Sequence, residues 1–400
     1  MPFKISNRVA QIKPAATIAV SMKAAELRAN GHDIISLGFG EPDFDTPDHI
    51  KQAAIKAMWA GDTKYTPVDG TARLKQAIVE KFKRDNQLDF DTDQIIVSTG
   101  AKQSLFNVLV TLLNPDDEVI LPAPYWVSYI DMVKLTDGLP VILNANADSG
   151  YKITPKQLQA SLNDRSRLLI INSPSNPTGK AYTADEYRAL ADVLVDFPKV
   201  MVVCDDIYEH IYWGEEPFCT LLNVCPEMAP RTVIINGVSK AYAMTGWRIG
   251  YAAAPKKLIP SLRKVQGQCT SGASSISQAA ATEALEGPQD CVQEMCVAYK
   301  RRYEYLLDAL NAIDGVECAE CEGAFYAFPC FQAVIDQMPD IKDDVDLAEW
   351  MLENAGVAMV PGTAFGAPGH LRLSYATSMD NLKTCIQRIR TALDKVLPQT

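Results

Sequence analysis

Between residues 93 and 253 the chain alternates short, β-branched apolar runs with helical patterns, and this most constrains the fold. The runs are Ile95–Ser98, Glu118–Leu121, Val141–Leu143, Leu168–Asn172, Val200–Cys204, Thr232–Asn236 and Arg248–Ala252. They are nearly continuous in hydrophobicity, as strands covered on both faces of a parallel sheet must be. The segment Ala101–Leu113 places Leu105, Val108, Leu109 and Leu112 on one helical stripe. Thr183 and Glu186 form a capping-box pattern that opens another helix. Such alternation predicts an α/β unit whose ligands bind beyond the carboxyl ends of the strands.

After the long helical stretch 289–310, the pattern changes to short strands near 325–328, 357–360 and 371–374, with helices over 346–355 and 379–396. This predicts a smaller α+β unit. The expected division is an N-terminal arm that forms part of the small domain over 1–45, a large domain over 46–288 and a small C-terminal domain over 289–400. The stretch from Gly40 to Pro47 breaks regular structure and reads as a hinge or substrate loop.

The chain carries 49 acidic against 38 basic residues, so a nucleic-acid partner is not expected. Its longest basic cluster, Lys300-Arg301-Arg302, reads as a solvated helix face. No apolar run approaches the ~20 residues of a membrane span, and no leader pattern is visible. The ten cysteines are therefore expected as thiols in the cytoplasm. Cys318 and Cys321 form one C-x-x-C without a second pair, so no metal site is expected.

Four strand ends carry chemistry. Thr99-Gly-Ala-Lys102 opens a helix. Asn176 sits between prolines in Ser173-Pro-Ser-Asn-Pro-Thr-Gly179. Asp205-Asp-Ile-Tyr208 follows one buried strand, and Lys240 follows another. Gly38-Phe-Gly40 is a G-x-G without the third glycine and opens no helical pattern, so a dinucleotide site is not expected there, and the acidic strand end Asp205-Asp206 has no phosphate loop to serve. Lys240 lies among small and apolar residues. Desolvation makes a lysine amine nucleophilic and able to condense with an aldehyde. Bound pyridoxal phosphate needs three further groups: a phosphate cradle, a carboxylate for its ring nitrogen, and donors to its phenolic oxygen. Thr99–Lys102 offers the first, Asp205 the second, and Asn176 with Tyr208 the third.

Ser239-Lys-Ala-Tyr-Ala-Met-Thr-Gly-Trp-Arg-Ile-Gly250 resembles the lysine motif of class I aminotransferases. Asn172–Gly179 and Asp205–Tyr208 are similar to two more of their motifs. The likeness covers nearly the whole chain and is greatest to the bacterial aspartate, or aspartate/prephenate, subgroup. It implies fold-type I, with a mostly parallel seven-stranded sheet plus a small α+β domain, and pyridoxal 5′-phosphate as cofactor. It also implies a homodimer exchanging amino groups between amino acids and 2-oxo acids, most simply L-aspartate and 2-oxoglutarate. Prephenate or aromatic transamination and β-lyase chemistry share the lysine site.

Residue roles follow from the resemblance. Lys240 would hold the cofactor and shuttle the proton at Cα. Asp205 would keep the ring nitrogen protonated, and Asn176 and Tyr208 would bind the phenolic oxygen. Trp126 would stack on the ring. The backbone amides of Gly100, Ala101 and Lys102, with Arg248 and the partner subunit's Tyr65, would bind phosphate. Arg372 would grip the substrate α-carboxylate beside Gly40, and Trp126 and Asn176 would also border the substrate. Lys102 and Thr17 would read a distal carboxylate. Gly237 stands where many class I enzymes have a phosphate-binding serine, so phosphate binding is expected to lean on Arg248.

Overall fold

The computed structural model describes residues 4–12 and 16–397, and the side chains of residues 16 and 17 also fall outside the described set. Twelve strands occur among the described residues. Seven form the central sheet: β2 (Ile95–Ser98), β3 (Glu118–Ala123), β4 (Leu139–Asn144), β5 (Ser166–Asn172), β6 (Met201–Asp205), β7 (Thr232–Gly237) and β8 (Gly250–Ala253). Their order is β2-β8-β7-β6-β5-β3-β4. β8 runs antiparallel to both its neighbours, and every other pair is parallel. The sheet is therefore mostly parallel, as the uninterrupted apolar runs require.

Alternation along the strands feeds two cores. Val97, Leu169, Ile171, Val202, Cys204 and Ile234 bury on one face. Ile96, Leu168, Ile170, Val203, Val233 and Ile235 bury on the other. Neighbouring residues thus point to opposite sides, and each face is covered by helices. One of these, Ala184–Leu194, begins with the expected capping box: Thr183 Oγ1 accepts from Glu186 N, and Glu186 Oε2 accepts from Thr183 N at 2.8 Å.

A third core lies beneath the remaining strands. β1 (Ile35–Ser36) pairs in parallel with β10 (Val357–Ala358), while β9 (Tyr326–Ala327) and β11 (Val360–Pro361) flank β12 (Leu371–Ser374). The helices Asp290–Asn311, Asp344–Asn354 and Met379–Leu393 pack there through Tyr299, Leu306, Leu347, Met351 and Ile389.

Two sequence expectations need correction. Arg248 is not a strand residue: its φ is 57°, and β8 begins two residues later. This left-handed turn puts the guanidinium beside Gly100, where a Cβ would collide with it. Lys300-Arg301-Arg302 is not a uniformly solvated face. The Arg302 side chain is only 12% exposed and pairs with Asp43.

Candidate active site

A cavity of about 360 Å³ opens at the carboxyl ends of β5 and β6 and beside the loop that follows β7. The helix Ala101–Leu112 aims its N-terminus at it. The first amides of a helix lack partners within the helix and attract anions. Gly100 caps this helix with φ 87°, and Gly250 packs so tightly against Ala101 N that no Cβ would fit.

Lys240 follows β7 and projects into the cavity, where its Nζ donates to Gly40 O at 2.5 Å. Burial pulls its pKa down to about 8, with Arg372 and Arg248 adding to the fall and Glu41 and Asp205 opposing it. Asp205 is the last residue of β6. Tyr129 Oη donates to its Oδ2 at 2.6 Å, while the buried Oδ1 meets no hydrogen-bond partner. Burial raises this carboxyl to about 6 against the Tyr129 hydrogen bond. Asp206, the neighbouring acid, lines no part of the cavity and is itself buried.

Arg372 lies on β12, is 2% exposed, and donates to Asn176 Oδ1 at 3.0 Å and Gly38 O at 2.7 Å. Its guanidinium stacks between Tyr326 and Phe365, at 4.5 and 5.0 Å from the ring centroids. Tyr208 Oη lies 2.8 Å from Tyr326 Oη. A Cβ on Gly40 would come within 2.6 Å of that same Tyr326 oxygen, so glycine here admits the tyrosine. Lys102 also lines the cavity; its Nζ sits 4.7 Å from the centre of the Trp126 ring, and burial, then Arg248, lowers its pKa.

The fold thus brings together Gly40, Ala101, Lys102, Trp126, Asn176, Asp205, Tyr208, Lys240, Arg248 and Arg372. Gly100 stands behind the wall and shapes it. Tyr65 is 99% exposed and lies outside this cavity. Thr17 falls in the helix Ala16–Ala29, but its side chain lies outside the described residues. Sequence reasoning missed Tyr129, Tyr326 and Glu41, which also line the cavity. Tyr129 lies i+3 from Trp126, a spacing of one helical turn that could have pointed to it.

Gly237 has a local cause. A Cβ there would stand 2.9 Å from Ile249 O and 3.0 Å from Gly250 Cα. The close approach of β7 and β8 therefore excludes a serine, and Arg248 remains the nearby cation. The Cys318 and Cys321 thiols are buried, which pushes each up to about 12. No cluster of three or more His, Cys, Asp or Glu suited to a metal ion occurs among the described residues, and no helix there is long and apolar enough to cross a membrane.

Known proteins resemble this chain along nearly its whole length. The chain is 49% identical over 396 residues to the aspartate/prephenate aminotransferase of Nitrosomonas europaea, covering 98% of this chain and 100% of that one. It is 47% identical over 398 residues to the aspartate aminotransferase of Rhizobium meliloti, covering 98% and 97%. A crystal structure of the aspartate aminotransferase from Rhizobium meliloti superimposes with a TM-score of 0.96 at 47% identity, covering 99% of this chain and all of that one. The Thermus thermophilus aspartate aminotransferase with maleate gives 0.92 at 42% identity, covering 98% and 100%. The model of the family "Aminotransferase class I and II" matches residues 32–389. That span takes in every residue described around the cavity, and the chain belongs to this family of pyridoxal 5′-phosphate enzymes.

Proposed function

We propose that this aminotransferase exchanges amino groups between L-aspartate and 2-oxoglutarate, giving oxaloacetate and L-glutamate. The observation that carries the reading is the placement of Lys240 in one cavity with an unpartnered Asp205 oxygen and two separated cations, Arg372 and Lys102. Two cations lining one cavity suit an amino acid with two carboxylates. Maleate, named with the Thermus thermophilus relative, is itself a small dicarboxylate.

The residues fit pyridoxal phosphate. Asp205 Oδ1 is a buried acceptor without a donor, which suits a protonated ring nitrogen. Asn176 and Tyr208, which line the same cavity, would donate to the cofactor's phenolic oxygen, and Trp126 would stack on its ring. The amides of Ala101 and Lys102, with Arg248, form the anion cradle; Gly100 lets Arg248 approach. Once bound, the cofactor supplies a carbonyl that condenses with amines and a ring that accepts the electron pair left when the substrate Cα–H bond breaks.

The chain's own groups do the rest. Lys240, with its pKa lowered to about 8, is deprotonated far more often near neutral pH than an ordinary lysine and takes the Cα proton as a general base. Arg372 holds the α-carboxylate in a fork-to-fork pair and so fixes which Cα bond faces Lys240. Lys102 holds the distal carboxylate, in the role the resemblance also gives Thr17.

The active unit in this reading is a cytoplasmic homodimer, built from the arm 1–45, the large domain 46–288 and the small domain 289–400. The exposed Tyr65 and the 88% exposed Trp59 favour a covered face there. The partner's phosphate would then receive Tyr65. Prephenate is a second acceptor to consider, since the Nitrosomonas europaea relative is named for it. A panel of aspartate, tyrosine and alanine as donors to 2-oxoglutarate, with prephenate as an alternative acceptor, tests the reading. Aspartate should give the highest kcat/KM among the donors. A wild type that prefers alanine or tyrosine overturns the aspartate assignment.

A further inference from the structure

Residues 37–47 form an irregular strap that crosses the site without any ladder of its own. Its start is pinned beside β12, where Leu37 O accepts from Ser374 N at 2.7 Å. Its end is pinned to the lysine loop: Thr46 Oγ1 donates to Ala243 O at 2.7 Å and accepts from Trp247 Nε1 at 3.0 Å. Between these pins, Gly38 O receives Arg372 Nη2 and Gly40 O receives Lys240 Nζ.

A backbone without regular structure costs conformational entropy to hold in place, so something must fix the middle of the strap. Asp43 accepts both forks of Arg302, at 2.7 and 2.9 Å. The guanidinium also stacks on Phe44 and Tyr299, at 5.1 and 5.4 Å from their centroids. Its Nη1 reaches Tyr375 O at 3.5 Å, just beyond the end of β12. Arg302 therefore touches the strap and the strand that carries Arg372 at once.

We propose that Arg302 is a positioning residue, which through Asp43 sets the strap so that its Gly38 and Gly40 carbonyls hold Arg372 and Lys240 in register. The proposal rests on the roles given above to those two residues. It differs from an ordinary surface ion pair by its bidentate geometry and low exposure, and because the carbonyls it places belong to the site.

Lys240 is faced by Glu41 on the strap, Asp205 at the end of β6, Tyr208 beyond it, Arg248 before β8 and Arg372 on β12. Against these fixed charges, the Gly40 carbonyl favours the ammonium form through a charge-assisted hydrogen bond. Displacing the strap should lower the Lys240 midpoint. In the cofactor-free full chain, acylation of Lys240 by acetic anhydride, followed by mass spectrometry across pH, reads that midpoint directly.

Arg302→Leu should move the midpoint down by roughly one pH unit. In the loaded enzyme it should raise KM for all amino acids roughly tenfold with a smaller change in kcat, because the α-carboxylate grip is lost uniformly. Asp43→Asn should shift both quantities in the same direction by less, and Arg302→Lys should recover part of the loss. A midpoint and KM like those of wild type, with only the melting temperature lowered, overturn the proposal. If Arg302→Leu does not fold, Asp43→Asn decides by the same criteria. A wild type without aminotransferase activity defeats the proposed function, while the acylation midpoints still decide this one.

Discussion

Tyr129 donates a 2.6 Å hydrogen bond to one oxygen of Asp205 and leaves the other buried without a hydrogen-bond partner. The carboxylate is thus held at one oxygen, with acceptor capacity left at the other. This geometry separates Asp205 from Asp206, although the two are adjacent in sequence.

Burial raises Asp205 from 3.8 to about 6, so the folded cofactor-free chain keeps this proton after the unfolded chain has lost it. The favourable contribution of the proton is complete below pH 4 and is lost as pH rises through 6. Asp205→Asn should therefore make the cofactor-free protein more stable than wild type at pH 7.5, by up to about 3 kcal/mol. That gain should shrink toward pH 4. Urea unfolding at both pH values checks it. The same substitution should slow transamination roughly 10²–10⁴-fold, while Asp206→Asn does much less.

Lys240 should tolerate no replacement. Lys240→Ala removes the amine, and Lys240→Arg supplies a group that stays protonated at any working pH. Both should lower turnover by at least roughly 10²–10⁴-fold. Both should also release pyridoxal phosphate on gel filtration in borohydride-treated samples, whereas wild type retains it covalently. Normal turnover in either variant would remove Lys240 from the mechanism.

On the proposed roles, substrate selection should divide between two cations. Arg372→Lys keeps the charge and loses the fork, so kcat/KM should fall roughly 10–150-fold for every amino acid. Lys102→Gln should produce a similar fall for aspartate and glutamate and leave alanine nearly unchanged. The aspartate-to-alanine ratio of kcat/KM in wild type and variant is the quantity to compare.

Restoring a serine at position 237 should harm the protein. Its Cβ would stand 2.9 Å from Ile249 O, between two central strands. Gly237→Ser should destabilise by about 1–3 kcal/mol, the usual cost of overfilling a packed interior. A variant with unchanged melting temperature and tighter cofactor binding would contradict the packing argument.

Behind the lysine strand, Lys81 and Glu209 form a fully buried ion pair, with Asn86 and Asn236 also bonded to Glu209. Lys81→Met alone leaves Glu209 buried without its cation and should cost about 3–5 kcal/mol. Combining it with Glu209→Gln should recover part of the loss. Thermal and urea unfolding of the single and double variants measure the recovery.

The sheet was legible because strands covered on both faces must be apolar throughout, and each central strand displays that directly. Lys240, Asp205 and Asn176 were legible because a charged or amide group just past such a strand has few structural uses. Arg248 was misplaced because a left-handed residue next to a strand has no apolar signature. Tyr129 and Tyr326 were hidden for a different reason: within an apolar run, an aromatic that packs cannot be told from one that also presents a hydroxyl. Arg302 was hidden because its partner Asp43 lies 259 positions away.

Arg372 meets the Gly38 carbonyl across 334 positions of sequence. On a translating ribosome, the seven strands of the central sheet have all emerged well before β12 is made. At about 5–20 residues per second, Gly38 then waits seconds for its partner. The proposed α-carboxylate grip is thus among the last features a nascent chain acquires, and a truncated product ending before β12 would carry Lys240 without Arg372 beside it.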